Sequence, residues 1–321
     1  MSKKSFWCII SLFVFSTFFS CKKDQLLLQN VKKIIINSNS DFHHVKFLND
    51  TVCIIAGGIE FLKAEILKSN DGGFTFISNS YPQAGKAMLG MSMGANNSIY
   101  LCGTDGTVLY SSDLGTNWLF NRIDWNVYVG GTFVNADTGI FISTVLQRQS
   151  TITQVNSNFQ IFENKTYLFG LNDIYMLNSS TGYVIGYGII MKTTDYRKSW
   201  KTLSIVDDNF TAMDIHENVI WICGANGSIY LTNDGGDNWR KLRNGNDITI
   251  PHYGLRSIIF KDMDSGWAVG DDGIFIHSDD GGLHWAEYKK FTTNNLRSIT
   301  VCPNNDLITV GDNGTIYRIT P

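Results

Sequence analysis

Between Phe42 and Pro321 the chain alternates short apolar runs with Gly- and Asp-rich punctuation, and no amphipathic helix of useful length interrupts them. One stretch shows the period in full. Leu255-Arg256-Ser257-Ile258-Ile259-Phe260 leads through a turn from Asp262 to Gly266, and Trp267-Ala268-Val269-Gly270 follows. Asp271-Asp272-Gly273 turns the chain again, Ile274 to His277 runs back, and after a third turn Trp285 to Lys289 completes the unit. This is the pattern of four short strands joined by tight turns. Aligned on the Gly before the second turn, it recurs with first strands beginning at Phe42, Met88, Tyr128, Leu171, Phe210, Leu255 and Leu296. Such repeats predict an all-β fold, a seven-bladed β-propeller of four-stranded antiparallel blades.

The last unit ends after its third strand, Thr315 to Ile319, while a lone apolar run, Val31 to Ile36, precedes the first. Val31 stands as far before Phe42 as Trp285 stands before Leu296, so Val31 to Ile36 is expected to complete the last blade and close the ring. Closure by the two ends removes the open gap and its exposed strand edges. Residues 31–321 then form one domain.

The third turn of each unit carries a recurrent box, Ser/Thr-x-Asp-x-Gly-x-x-Trp. It is complete at Asp113 with Trp118, at Asp234 with Trp239 and at Asp280 with Trp285. Weaker copies hold Asp71, where Phe76 replaces Trp, and Asp195 with Trp200, where Arg197 replaces Gly. The Asp and Ser/Thr side chains suit a tight turn by bonding nearby amides, and Gly supplies positive φ. The aromatic opens the next strand and brings a large apolar surface. Five equivalent acids spread around a ring are turn formers, whereas a catalytic or metal site needs convergence.

The N-terminus reads differently. Lys3 and Lys4, the apolar run Phe6 to Phe19 and Ser20 before Cys21 fit a secretory signal over residues 1–20. A Cys directly after the cut resembles a bacterial lipoprotein. That resemblance implies lipidation of Cys21, a tether over 21–30, and an exported protein held on the envelope, at the outer membrane, by its lipid alone. The chain has 26 Lys and Arg against 29 Asp and Glu, and losing Lys3 and Lys4 makes the balance more negative, which excludes nucleic acid as the expected partner. Cys102 and Cys223 share one repeat position before a Gly, where a small buried residue is wanted, so they and Cys53 and Cys302 are expected to be unpaired. No zinc spacing is present, and neither metal nor cofactor is expected.

The run Gly266 to Trp285, Gly-Trp-Ala-Val-Gly through Ser-x-Asp-x-Gly-x-x-Trp, resembles the Asp-box (bacterial neuraminidase) repeat. The combination is most similar to the photosystem II stability/assembly factor family, over about residues 31–321, with a degenerate third unit. That resemblance implies a seven-bladed propeller and a monomeric, non-enzymatic binder of a membrane or envelope protein. Asp-box propellers also include sialidases and other glycosidases, so a glycan-binding or glycoside-hydrolase-type propeller is the alternative. Of the three arginines a sialidase needs, only Arg256 and Arg297 stand at matched positions. Asp207, Asp208, Asp124 and Glu65 lie near one face, with no readable pairing.

The second positions of the seven first strands are His43, Leu89, Val129, Asn172, Thr211, Arg256 and Arg297. They surround one mouth of the central channel, on the face opposite the boxes. The polar members are consecutive around the ring, and the two arginines give the arc an expected affinity for an anion or an acidic segment. His43 and His44 are expected to point to opposite sides of their strand, unable to chelate one metal together. Three irregular elements fall on the same face: the link bearing His252 and Tyr253, the turn from Gly57 to Ser69, and the turn around Gln147-Arg148-Gln149. Trp125 lies in another link there. Long loops on one face are frequent binding elements.

Overall fold

The computed structural model describes residues 27–321 apart from 82, 95–97, 146–148, 204, 206 and 251. The signal segment, Cys21, and Gln147 and Arg148 of the third irregular turn lie outside the described residues. The described chain forms seven four-stranded antiparallel sheets, six of them plain meanders in sequence order. Blade 6 comprises Leu255–Phe260, Gly266–Gly270, Phe275–Ser278 and Ala286–Glu287, from the channel outward. The other inner strands are Asp41–Phe47, Met88–Met93, Tyr128–Phe133, Leu171–Met176, Phe210–His216 and Leu296–Val301, in blades 1 to 5 and 7.

The seventh sheet takes its outer strand from the N-terminus. Asn30–Lys33 pairs with Ile316–Thr320, with Val31 opposite Ile319 and Lys33 opposite Tyr317. The closing strand is shorter than the apolar run suggests. After Ile34 donates its N–H to the Ile316 carbonyl at 2.9 Å, the chain leaves the sheet to cross to blade 1. There the hydroxyls of Ser38 and Ser40 donate to Glu65 at 2.6 and 2.5 Å, which fixes the crossing.

Seven clusters of buried apolar side chains hold the ring, one in each gap between neighbouring blades. Ile54 and Ile66 of blade 1 meet Ile99 and Leu101 of blade 2. Around the ring, Tyr100 meets Phe141, Ile142 meets Val184, Ile185 meets Ile222 and Cys223 meets Ile258. Val269 then meets Leu307, and Val310 meets Phe42 across the closure. All four cysteines of the domain are buried and unpaired. Burial pushes the Cys223 and Cys302 thiols up to about 12.

The box turns act between blades as well as within them. In blade 6 the Ser278 hydroxyl donates to Asp280 at 2.9 Å and accepts the Gly282 N–H at 2.8 Å, while Asp280 accepts the His284 N–H at 2.9 Å. The same set recurs at Ser69, Ser111 and Thr232. The box aromatic then packs into the gap toward the preceding blade, Trp118 against blade 1 and Trp239 against blade 4. Box carbonyls also accept bonds from the preceding blade. Trp221 donates to Gly281 at 2.9 Å, Tyr183 to Gly235 at 2.8 Å and Arg318 to Gly72 at 2.8 Å. Positive φ is one reason for the second box Gly, and close approach is another. A Cβ on Gly73 (φ 80°) would stand 2.4 Å from Ile308 Cδ1 of blade 7.

Where the box departs from its pattern, compensation is visible. Arg197 adopts φ 70° in place of Gly. Its buried guanidinium bonds Gln154 of blade 3 at 3.1 Å and the Ser179 carbonyl. Blade 3 has no box. Asn156 makes its turn by accepting the N–H groups of Asn158 and Gln160, and Phe159 fills the gap toward Phe133 and Phe141.

Two adjacent glycines separate the two demands. Gly72→Ala meets open space, with its nearest neighbour 3.6 Å away, and carries only the backbone penalty of about 1 kcal/mol. Gly73→Ala must also displace Ile308, adding about 1–3 kcal/mol. Urea unfolding of the two variants is expected to show that order, and equal losses would remove the inter-blade contact from the account.

The box carboxylates also set an acid limit. Backbone N–H bonds from Asn117 and His284 lead in holding Asp113 and Asp280 at about 2, and the Ser199 hydroxyl does so for Asp195. In the unfolded chain these groups take up protons near 4, so between about pH 4 and pH 2 the unfolded state binds more protons and stability falls as pH falls. Urea midpoints measured across that range are expected to drop, and less steeply in a variant with the box acids replaced by Asn.

Candidate functional site

The central channel opens on the face opposite the boxes and encloses a cavity of about 830 Å³. Its mouth is built by one backbone irregularity repeated seven times. In every inner strand the pairing register slips at the second residue, between Phe42 and His44, Met88 and Gly90, and so on to Leu296 and Ser298. The slipped residues are His43, Leu89, Val129, Asn172, Thr211, Arg256 and Arg297, and all seven line the cavity. A β-bulge leaves one residue out of the ladder and re-aims its side chain. His43 and His44 both border the cavity, His43 beside Arg297 of blade 7 and His44 bonded to the Leu89 carbonyl of blade 2.

Four of the five polar members of the arc have a protein partner. Asn172 donates to Asn209 at 2.6 Å and to the Phe210 carbonyl at 2.7 Å, and Thr211 donates to the Leu255 carbonyl at 2.6 Å. These bonds tie blade 4 to blade 5 and blade 5 to blade 6. Arg256 pairs with Asp271, and Arg297 pairs with Asp312 and, at 3.5 Å, with Asp41. The positive arc expected from the inner strands is therefore matched by acids from the neighbouring turns and strand start. The signal was present in the repeat, since blades 6 and 7 both place an Asp directly after the second-strand Gly, at Gly270-Asp271 and Gly311-Asp312. Burial, then Arg297, His44 and Arg256, hold the His43 imidazole down to about 3, so it is neutral at the mouth.

His252 and Tyr253 do not join this arc. His252 is exposed on its link, outside the cavity lining, and Tyr253 turns outward, its hydroxyl 3.2 Å from Glu287. The four carboxylates considered for glycoside chemistry are engaged in structure. Ser38, Ser40, Ser78 and Lys63 surround Glu65, while Asp208 accepts the N–H groups of Asn226 and Ser228. Asp124 bonds Asn126 and Tyr128, and Asp207 bonds Tyr230 and Lys241. Among the described residues no group of three or more His, Cys, Asp or Glu side chains is placed to hold a metal.

Deeper in the channel lie side chains that sequence reasoning passed over, Lys46, Asp173, Tyr175 and Asp214. The available signal was charge inside inner strands whose other positions are mostly apolar or small. Asp214 is committed, accepting the Phe260 N–H at 2.6 Å and standing 3.3 Å from His216.

The outer part of this face is apolar. Ile248 is 90% exposed, Ile35 87%, Leu168 86%, Leu62 74% and Trp125 73%. Apart from Leu27 these are the most exposed large apolar side chains among the described residues. The connectivity puts all five on this face, in the links between blades or, for Leu62, at the tip of the second turn of blade 1. Arg122 stacks on Trp125 with its guanidinium 4.2 Å from the ring centre.

These features define a seven-bladed propeller whose channel mouth and apolar rim share one face. No protein-family model matches the chain. A segment of it is 30% identical over 59 residues to the photosystem II assembly lipoprotein Ycf48 of Trichormus variabilis, covering 18% of this chain and 16% of that relative. The match thus spans less than a fifth of the relative's length. The solved structure of Ycf48 bound to a D1 peptide superposes with a TM-score of 0.71 at 14% identity, over 92% of this chain and 99% of that one. The WD40 propeller domain of Doa1 gives 0.67 at 9% identity, over 90% and 95%. At these identities the structural likenesses establish the fold alone.

The histidines offer a direct check on the mouth. The ring of His43, buried and beside cationic neighbours, is expected to stay neutral from pH 8 to pH 5 in a nitrogen-detected NMR titration, and that of His44, lowered chiefly by burial, to titrate below 6.5. His216, raised by its bond to Asp214, is expected to titrate above 6.5. A His43 ring that gains its proton near 6.5 would contradict the geometry of the mouth.

Proposed function

We propose that this chain is a non-catalytic protein-binding propeller of the assembly-factor type, working through the face opposite the boxes on a membrane-protein partner in the cell envelope. The observation that carries this reading is the gathering of the most exposed apolar side chains, Leu62, Trp125, Leu168, Ile248 and Ile35, on that face. Exposed large apolar side chains concentrated on one face favour that face as the interaction surface. The arc of His43, Asn172, Thr211, Arg256 and Arg297 forms the polar floor inside the rim. The local similarity to Ycf48, and the D1 peptide bound by a protein of the same fold, favour a polypeptide as the occupant.

Chain direction adds support. The closing strand begins at Asn30 and its partner ends at Thr320, both on the box side. A tether leading from a lipid on Cys21 enters there and leaves the apolar rim free for a partner.

Photo-crosslinking in the native host tests the reading. A crosslinking residue in place of Leu62 or Trp125 is expected to capture the same membrane protein, and one in place of Leu283, in the blade 6 box, to capture none. Leu62→Ser with Trp125→Ala is expected to weaken that complex about ten-fold or more, the scale of losing central apolar anchors. Equal capture from Leu283, or turnover of a sialoside or polysaccharide by the purified protein, would replace this reading.

A further inference from the structure

Below the mouth the channel holds two opposite charges that do not touch. Lys46 comes from blade 1, and Asp173 comes from blade 4, three blades around the ring. Asp173 uses one oxygen to accept the N–H of the next residue, Ile174, at 2.7 Å. Its other oxygen, the Lys46 ammonium and the Tyr175 hydroxyl have no hydrogen-bond or ion-pair partner among the described residues. The neighbouring polar groups are occupied, His44 by the Leu89 carbonyl at 2.8 Å and Asp214 by the Phe260 N–H. Both charges feel their surroundings. Burial depresses the Lys46 pKa against the pull of Asp173 and Asp214, and burial raises Asp173 to about 6.

Lys46 and Asp173 are half-buried in the channel wall, and a charge drawn partly out of water gains from a paired, hydrogen-bonded partner. Here the two lie within electrostatic reach, across a cavity, and neither satisfies the other. A simple anion drawn to Lys46 meets the repulsion of Asp173, and a simple cation drawn to Asp173 meets that of Lys46. A ligand carrying both signs satisfies each with a charge-assisted bond, the strong class of hydrogen bond. We propose that the channel interior binds a small zwitterion of the amino-acid class, its carboxylate on Lys46 and its ammonium on Asp173, with the Tyr175 hydroxyl beside it. The cavity of about 830 Å³ leaves room for the ligand and for ordered water. This site is separate from the apolar rim and does not depend on the protein-binding reading.

Calorimetric titration of the intact domain with the free α-amino acids, at about 10 mM and about pH 7.5, is the first measurement. At least one is expected to bind. For that ligand, N-acetylation and carboxyl esterification are each expected to weaken binding about ten-fold or more, the loss of one charge-assisted bond. Lys46→Met is expected to abolish the penalty for esterification, and Asp173→Asn that for N-acetylation. Near-ultraviolet circular dichroism shows whether the variants fold, and the blocked ligands decide the matter on wild-type protein if they do not. The proposal is overturned if no zwitterion binds, if blocking either end leaves affinity unchanged, or if folded variants bind as wild type does.

Discussion

A four-stranded blade has two apolar faces and cannot bury either by itself. Everything else in this structure follows from that constraint. Each face needs a neighbour, so the sheets must form a ring, and the ring must close without leaving one blade half covered. The chain meets the last demand by lending its first strand to its last blade. Val31 packs on the side toward blade 6 and Ile34 on the side toward blade 1, so four residues in an extended run serve two gaps. The boxes answer the same constraint on the rim of one face. Their turns hold the outer strands, and their carbonyls and aromatics reach across to the preceding blade.

The seven bulges connect this packing to the site. The residue before each bulge is buried at the blade interfaces, Phe42, Met88, Tyr128 and their equivalents. A regular ladder would pair the next residue and send its side chain to the opposite face of the blade. One extra residue per strand turns it into the channel mouth, and does so in all seven blades alike. A single backbone device thus converts a packing repeat into a ring of seven side chains, whose chemistry the scaffold leaves open.

Much of this was legible in the sequence because the repeat is a local pattern. Strand starts, turn residues and the missing outer strand of the last blade are all encoded within a few neighbouring positions. What was not legible depends on contacts between units. The two arginines of blades 6 and 7 read as a positive arc because their chief partners, Asp271 and Asp312, sit in turns fifteen residues away, where Asp is already explained as a turn former. Lys46 and Asp173 were passed over because nothing near them in sequence shows that blades 1 and 4 face each other across the channel. Tyr253 was placed on the binding face on the strength of its link, and its hydroxyl stands beside Glu287 in the outer strand of the next blade.

The pairing of the arginines changes where affinity for a partner must originate. An acidic segment entering the mouth has to compete with Asp271, Asp312 and Asp41 for Arg256 and Arg297, exchanging one set of charge-assisted bonds for another with little net gain. The apolar tips have no such prior engagement. Covering them removes surface from water at roughly 25 cal/mol per Å², and apart from the Arg122 stack on Trp125 no contact given for them has to be exchanged. In the proposed binding mode the rim supplies the free energy and the paired arginines supply selectivity, since a partner that fails to match their carboxylate pattern must leave charges unsatisfied. A propeller of this kind can change partner by altering link residues alone, because neither the inter-blade cores nor the bulges involve the tips.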